Sequence, residues 1–255
     1  MNEYEEMVRR LIQSAPRPMR RRLQANLPTV RARYADLDLL IAPARNHTEF
    51  FLWQKGRPPE HKATQHLCDL FRDKRITMVD VGANAGIFSL PLARVAAPGS
   101  RFVLVEPNPE VLARLRANIA LNGLTDVEVV EVAISDEPGR MTLHFSPNDN
   151  QGEARLGIAF DTDAGGIDVE VTTLPDLLTT LGIEEVDLLK VDVEGVEDRV
   201  ILPAIRKMPK GAIRRIYFED SHGEHWSESV TDALTNAGFK EGGRFRANAL
   251  YVAGD

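Results

Sequence analysis

Cysteine is nearly missing from this chain of 255 residues: Cys68 stands alone, so no internal disulfide can staple the fold. No apolar run approaches the ~20 residues that a membrane-spanning helix needs. The opening residues, Met-Asn-Glu-Tyr-Glu-Glu, lack the basic and apolar regions of a secretory leader. With a lone thiol, this leads to the expectation of a cytoplasmic protein. Tryptophan is scarce, Trp53 and Trp226 only, which leaves no obvious aromatic platform for a sugar ring. Excess positive charge is also lacking: the net charge of −7 argues against general nucleic-acid binding. Repeats and low-complexity tracts are absent. What is there is an ordinary composition, 43% apolar and 27% charged, in a length that suits one large α/β domain with an extension.

The charge is unevenly spread. Residues 1–35 hold eight arginines against three acids. We expect residues 1–37 to form a helical, Arg-rich arm, with helices over Glu3–Ser14 and Met19–Leu27 broken at Ala15-Pro16-Arg17-Pro18. Met7 and Leu11 are assigned to the apolar face of the first helix. The arm would pack on the remaining domain (38–255) or on another copy of the chain, giving a homo-oligomer. Arg20-Arg21-Arg22 suits an anionic surface, an acidic neighbour or a phosphorylated substrate, and equally a solvated helix face.

The rest is organised around Ile76–Leu90. A short apolar run ends in Asp80-Val81 and reads as a buried strand; Gly82-Ala83-Asn84-Ala85-Gly86 follows, then a helix from about Ile87. Glycines let such a loop turn sharply and bring backbone N–H groups and a helix N-terminus to a ligand. An ordinary strand-to-helix turn would look the same. A second buried strand, Arg101–Glu106, ends in an acid about 20 residues past Gly86, where a carboxylate can take both ribose hydroxyls. Asn108 and Pro109 then lead into a helix closed by Asn122-Gly123. Strand, glycine loop, helix, strand, acid, helix is the adenosine-binding half of a doubly wound domain.

Two cofactors fit, NAD and S-adenosylmethionine. A dinucleotide site wants G-x-G-x-x-G, with its second glycine open to a pyrophosphate. Here that position is Asn84, and no glycine follows Gly86 at the right distance. S-adenosylmethionine has no pyrophosphate, and its ammonium suits an acid such as Asp80.

At this point the chain resembles a known family. Val-Asp-Val-Gly-Ala-Asn-Ala-Gly (79–86), Val-Glu-Pro-Asn-Pro (105–109) and Leu-Leu-Lys-Val-Asp-Val-Glu-Gly-Val-Glu (188–197) are similar to motifs of the FkbM-type methyltransferases. The resemblance runs from about Asp38 to the C-terminus. It implies a class I methyltransferase fold, S-adenosylmethionine as cofactor, and O-methylation of a saccharide or natural product. It also implies that Glu60 and its neighbours lie over the cofactor; a surface salt bridge is the other reading of Glu60.

A third strand is expected over Val127–Ile134. Its end, Ala133-Ile134-Ser135-Asp136, resembles the loop that contacts adenine, with Ala133 and Ile134 as an apolar wall and Ser135 or Asp136 as acceptor. Asp136-Glu137-Pro138-Gly139 is also plain turn chemistry. Arg140–Phe145 and Ile167–Thr173 alternate as strands of an added hairpin or small sheet. The long polar segment 146–166 between them is assigned to the substrate side, or to disorder. Core strands follow at Val186–Val193 and Ile213–Glu219, with a final hairpin from Phe239–Phe245 and Ala249–Val252. The expected fold is therefore α/β: a doubly wound, mostly parallel sheet ending in an antiparallel hairpin, plus the helical extension.

Cofactor contacts are expected from Asp80, Gly82, Asn84, Gly86, Glu106, Ala133, Ile134 and Asp192. Removing a hydroxyl's proton needs a positioned base or a metal. Candidates gather where strands four and five end: Asp192, Glu194, Glu219, Asp220, His222 and His225. His222 is assigned as base, Glu219 as the carboxylate that orients it, and Asp192 as a further catalytic group. A divalent metal held by His222, His225, Glu219 and Asp220 is an alternative, not the favoured one. The competing functions are an NAD-dependent oxidoreductase and a non-catalytic module that keeps the cofactor pocket. The Asn/Asp-Pro-Pro-aromatic motif of many N-methyltransferases is absent after Val191.

Overall fold

The computed structural model describes residues 3–148, 150–162, 165–221 and 223–254, residues 3–5 by their backbone alone. Helices α1 (Glu3–Ser14) and α2 (Arg17–Ala25) come first. Their packing corrects one expectation. Ile12 is fully buried, with Val8 packed against the same core, whereas Met7 and Leu11 are 57% and 48% exposed. Val8, Ile12 and Ala15 follow i, i+4, i+7 and form the stripe that faces inward. Arg9 lies over the Trp53 ring at 5.1 Å.

A hairpin follows, β1 (Val30–Tyr34) with β2 (Leu37–Ile41). It straddles the 37/38 boundary drawn from sequence, so the arm is helical only through Ala25. Helix α3 (His47–Lys55) starts at Asn46, whose side chain accepts the Glu49 N–H, and stops at left-handed Gly56. Helix α4 (His61–Phe71) leads to β3 (Thr77–Val81). Next come α5 (Ser89–Val95), β4 (Arg101–Val105) and α6 (Pro109–Leu121), the last capped by Asn108 with Pro109 in its first turn.

The expected third strand is in fact two. Strand β5 (Val127–Val130) joins the main sheet, while β6 (Ala133–Ile134) pairs with a different one. Residues 131–132 carry the chain between sheets. Strands β7 (Gly139–His144), β8 (Arg155–Leu156) and β9 (Gly166–Thr172) complete a four-stranded sheet in the order β6-β9-β7-β8. Then come α7 (Leu174–Thr180), β10 (Leu188–Val191), α8 (Glu197–Lys207), β11 (Arg215–Glu219), α9 (Val230–Asn236), β12 (Phe239–Phe245) and β13 (Asn248–Ala253).

The main sheet runs β12-β13-β11-β10-β3-β4-β5. Strands β5, β4, β3, β10 and β11 are parallel, and β13 runs antiparallel to both β11 and β12. Strands β3 and β4 are buried at nearly every position because helices cover both faces. The strand order reverses between β3 and β10. In such sheets the crevice beyond the carboxyl ends at that point is where ligands bind.

Candidate active site

Strand β3 delivers the glycine loop to that crevice. Gly82 has φ +81°, and a Cβ there would sit 1.9 Å from the Asp192 carbonyl oxygen. The missing side chain thus lets the β3 loop meet the end of β10. Gly86, also at φ +81°, faces Leu90 and Leu115, so it serves packing rather than the cavity. Asn84 takes the left-handed region at φ +51°. Its backbone N–H donates to Glu106 at 2.9 Å, and its side-chain oxygen accepts from the Asn46 amide at 3.0 Å. Buried Asn118 fixes the loop from below, donating to the Ala85 carbonyl at 2.9 Å and accepting the Leu40 N–H.

Glu106 holds this corner together. Its other oxygen accepts the Asn108 N–H at 2.9 Å, so one carboxylate joins the two loops that follow β3 and β4. Burial pushes its pKa up to about 7, against the pull of those two backbone N–H groups.

A cavity lies above the loop. Gly82, Asn84 and Glu106 line one side, Ala133, Ile134, Leu143 and Leu156 form an apolar wall, and Asp192 and Glu194 stand opposite. Ser135 is buried and donates to Asp136, and neither lines the cavity. Gln151, Gly152 and Ala154 also line it. Arg114 donates to Gln151 at 2.7 Å, and the Gln151 N–H reaches the Arg45 carbonyl. This part of the 146–166 segment therefore lines the glycine-loop cavity.

Asp80 is not in that cavity. It is fully buried beneath the loop, bonded by Ser89 and ion-paired with Lys190 at 3.0 Å. Lys190, 3% exposed, also lies 3.5 Å from Asp192 and donates to the Gly82 carbonyl at 3.3 Å. Burial alone would lower its pKa; Asp80, Asp192 and Glu60 outweigh that and raise it, so it stays charged. Lys190 is the group that sequence reasoning missed. Its one signal was a lysine inside an otherwise apolar strand two residues before Asp192.

Glu60, at the start of α4, makes no surface ion pair among the described residues. Tyr217 donates to it at 3.1 Å, and burial, then the Asp192 charge, raise its pKa to about 7.

At the ends of β10 and β11, carboxylate oxygens of Asp192, Glu194 and Glu219 lie within 4.8 Å of one another. Glu194 sits at φ +57°, and its pKa rises to about 9 through burial and then the charges of Asp192 and Glu219. Glu197 shapes this turn: it accepts the Val193 and Gly195 N–H groups at 3.2 and 3.1 Å and the Trp226 indole N–H at 3.0 Å. Three carboxylates so close can share a proton or hold a hard divalent cation.

The histidine-based metal site looks different. Asp220 is tied to Arg244 at 2.7 Å, His225 faces Glu224, and His222 lies outside the described residues. A second cavity lies beside the cluster, with Glu219 and Glu60 on its wall.

Comparison with known proteins agrees with this geometry. The model of the methyltransferase FkbM domain matches residues 80–241. The chain is similar to 2-O-methyltransferase NoeI of Sinorhizobium fredii, 28% identical over 210 residues that cover 75% of this chain and 82% of that protein. It is 32% identical over 154 residues to 31-O-demethyl-FK506 methyltransferase FkbM of Streptomyces tacrolimicus, covering 48% of this chain and 56% of that relative, little over half its length. Among solved structures, the METTL16 MTase domain superposes with a TM-score of 0.50 at 15% identity, over 98% of this chain and 80% of that one, a likeness of fold alone.

Proposed function

The chain belongs to the FkbM methyltransferase family, and on that premise we propose that it methylates a hydroxyl group of a small molecule, a saccharide or a natural product. The observation that carries this reading is the placement of Asp192 and Glu194 on the wall of the glycine-loop cavity, with a Glu219 carboxylate oxygen within 4.8 Å of theirs. When bound, S-adenosylmethionine supplies an electrophilic methyl group on a sulfonium. The residues present fit it: Asn84 and Glu106 offer an amide and a carboxylate for the ribose end, and Ala133, Ile134, Leu143 and Leu156 offer apolar surface for adenine.

Asp192, Glu194 and Glu219 meet the acceptor side. A hydroxyl keeps its proton at neutral pH, so a general base must take it as the new bond forms. Burial and the neighbouring charges push the Glu194 pKa up to about 9, and Asp192 and Glu219 stand within 4.8 Å of it as the carboxylates that can take the proton. His222 is three residues beyond Glu219 and is the rival base. Much of the rate would come from alignment of the acceptor oxygen, which these fixed strand ends supply. Asp80 and Lys190 act from below, holding Asp192 and the Gly82 carbonyl in place.

The relatives' names support a hydroxyl acceptor: one is a 2-O-methyltransferase and another acts on 31-O-demethyl-FK506. Labelled-methyl turnover over a panel of hydroxylated sugars and polyketides is the test. Transfer to oxygen, lost in Glu219→Gln and retained in His222→Ala, is expected. Transfer to nitrogen, or normal turnover by Glu219→Gln, would overturn this assignment.

A further inference from the structure

The second cavity has a composition at odds with the rest of this acidic chain. Glu60 and Glu219, both half-buried, line it. Lys55, Arg57, Lys62 and Arg246 also line it, all exposed, and none forms an ion pair among the described residues. Arg244, a fifth cation there, is already held by Asp220 and Glu241. Phe51, Phe245, Pro58 and Pro59 give the cavity apolar surface. The cavity, about 540 Å³, exceeds what a lone monosaccharide needs.

Like charges gathered around one concavity repel each other unless an anion is placed among them. Two guanidinium forks and two ammonium groups exceed what one carboxylate can use. A phosphoryl group, with charge near −2 and three strong acceptor oxygens, can engage several at once. The two cavities are neighbours: Glu219 lines the second, Asp192 and Glu194 the first, and their carboxylate oxygens lie within 4.8 Å.

Resting on the hydroxyl-methylation reading, we propose that the acceptor is phosphorylated: its phosphoryl group sits among Lys55, Arg57, Lys62 and Arg246, and its hydroxyl reaches the Asp192–Glu194–Glu219 cluster. The acceptor class is therefore a sugar phosphate or a nucleotide-linked sugar.

The test is calorimetric titration of the full chain, in the presence of S-adenosylhomocysteine, with glucose, glucuronate, glucose 1-phosphate and UDP-glucose. Either phosphate compound should bind at least about tenfold more tightly than glucose and glucuronate. UDP-glucose above glucose 1-phosphate identifies the nucleotide-linked class, and the reverse identifies the simple phosphate. Arg57→Ala/Arg246→Ala should abolish the preference while S-adenosylhomocysteine binds as before. The charge-matched Arg21→Ala/Arg22→Ala pair in α2 should leave it intact. Glucuronate binding as well as the phosphates, no phosphate preference at all, or a preference that survives the Arg57/Arg246 change would each overturn the proposal. Failure to bind S-adenosylhomocysteine would instead strike the methyl-transfer reading.

Discussion

At Gly82 a single absent Cβ decides whether β3 and β10 can close on each other. Gly82→Ala combines a left-handed φ with an atom 1.9 Å from a backbone carbonyl. It should cost more than the ~1–3 kcal/mol of backbone strain alone and should weaken cofactor binding. Gly56→Ala shares the positive φ but meets nothing within 4 Å, so it should cost only about 1 kcal/mol. Denaturant unfolding of both variants checks the contrast, and equal losses would refute it. Lys190→Met leaves Asp80 charged and buried, and should destabilise by about 3–5 kcal/mol. Adding Asp80→Leu should return most of that in the same assay. At this scale the sequence was partly legible. Gly82, Asn84 and Glu106 stand together because their order along one βαβ unit encodes their proximity. Asp80 was placed in the pocket because a carboxylate at a strand end looks free when its partner is 110 residues away. Lys190 gives no hint of that partner until the topology sets β10 beside β3.

The elements were easier to read than their faces. Helix α1 was legible from its periodicity, yet Met7 and Leu11 turned outward and Ile12 inward, because neighbouring stripes of one helix are equally apolar and only packing chooses between them. Ile12→Ala should therefore lower stability by about 2–5 kcal/mol, while Leu11→Ala should stay within about 0.5 kcal/mol. Chemical denaturation measures both, and a reversed order would show that the arm docks differently. Strand β6 was read as the tail of β5 because a continuous β-prone run does not reveal that its two halves pair in different sheets. That crossing brings Ala133 and Ile134, with Leu143 and Leu156 of the added sheet, to the glycine loop. The hairpin β1–β2 escaped notice in its first strand, where arginines alternate with small apolar residues on an exposed edge.

Over the whole molecule, burial of carboxyl groups around the crevice couples binding, folding and pH. Glu60 and Glu106 have folded-state pKa values near 7, and Glu194 near 9, all above the 4.5 of the unfolded chain. The folded state therefore binds more protons than the unfolded one between these limits. The stability they contribute is complete below about pH 4.5 and is lost as pH rises through about 7 and then about 9. The melting temperature of the free protein should fall from pH 6 to pH 9, and Glu194→Gln should flatten the upper part of that decline. A melting temperature rising across this range would contradict the burial of these groups. Cofactor binding should run the other way, because a ribose contact through Glu106 needs its ionised form. Affinity for S-adenosylmethionine should weaken by up to about tenfold per unit below pH 7.

Titration of S-adenosylmethionine and NAD into the wild-type chain and Glu106→Gln at pH 8, followed by calorimetry, addresses the central claim most directly. One equivalent of S-adenosylmethionine should bind per wild-type chain, with markedly lower affinity in Glu106→Gln and no binding of NAD. Heat from NAD alone, or an unchanged S-adenosylmethionine affinity in Glu106→Gln, would contradict the assignment of the glycine-loop cavity to a methyl donor.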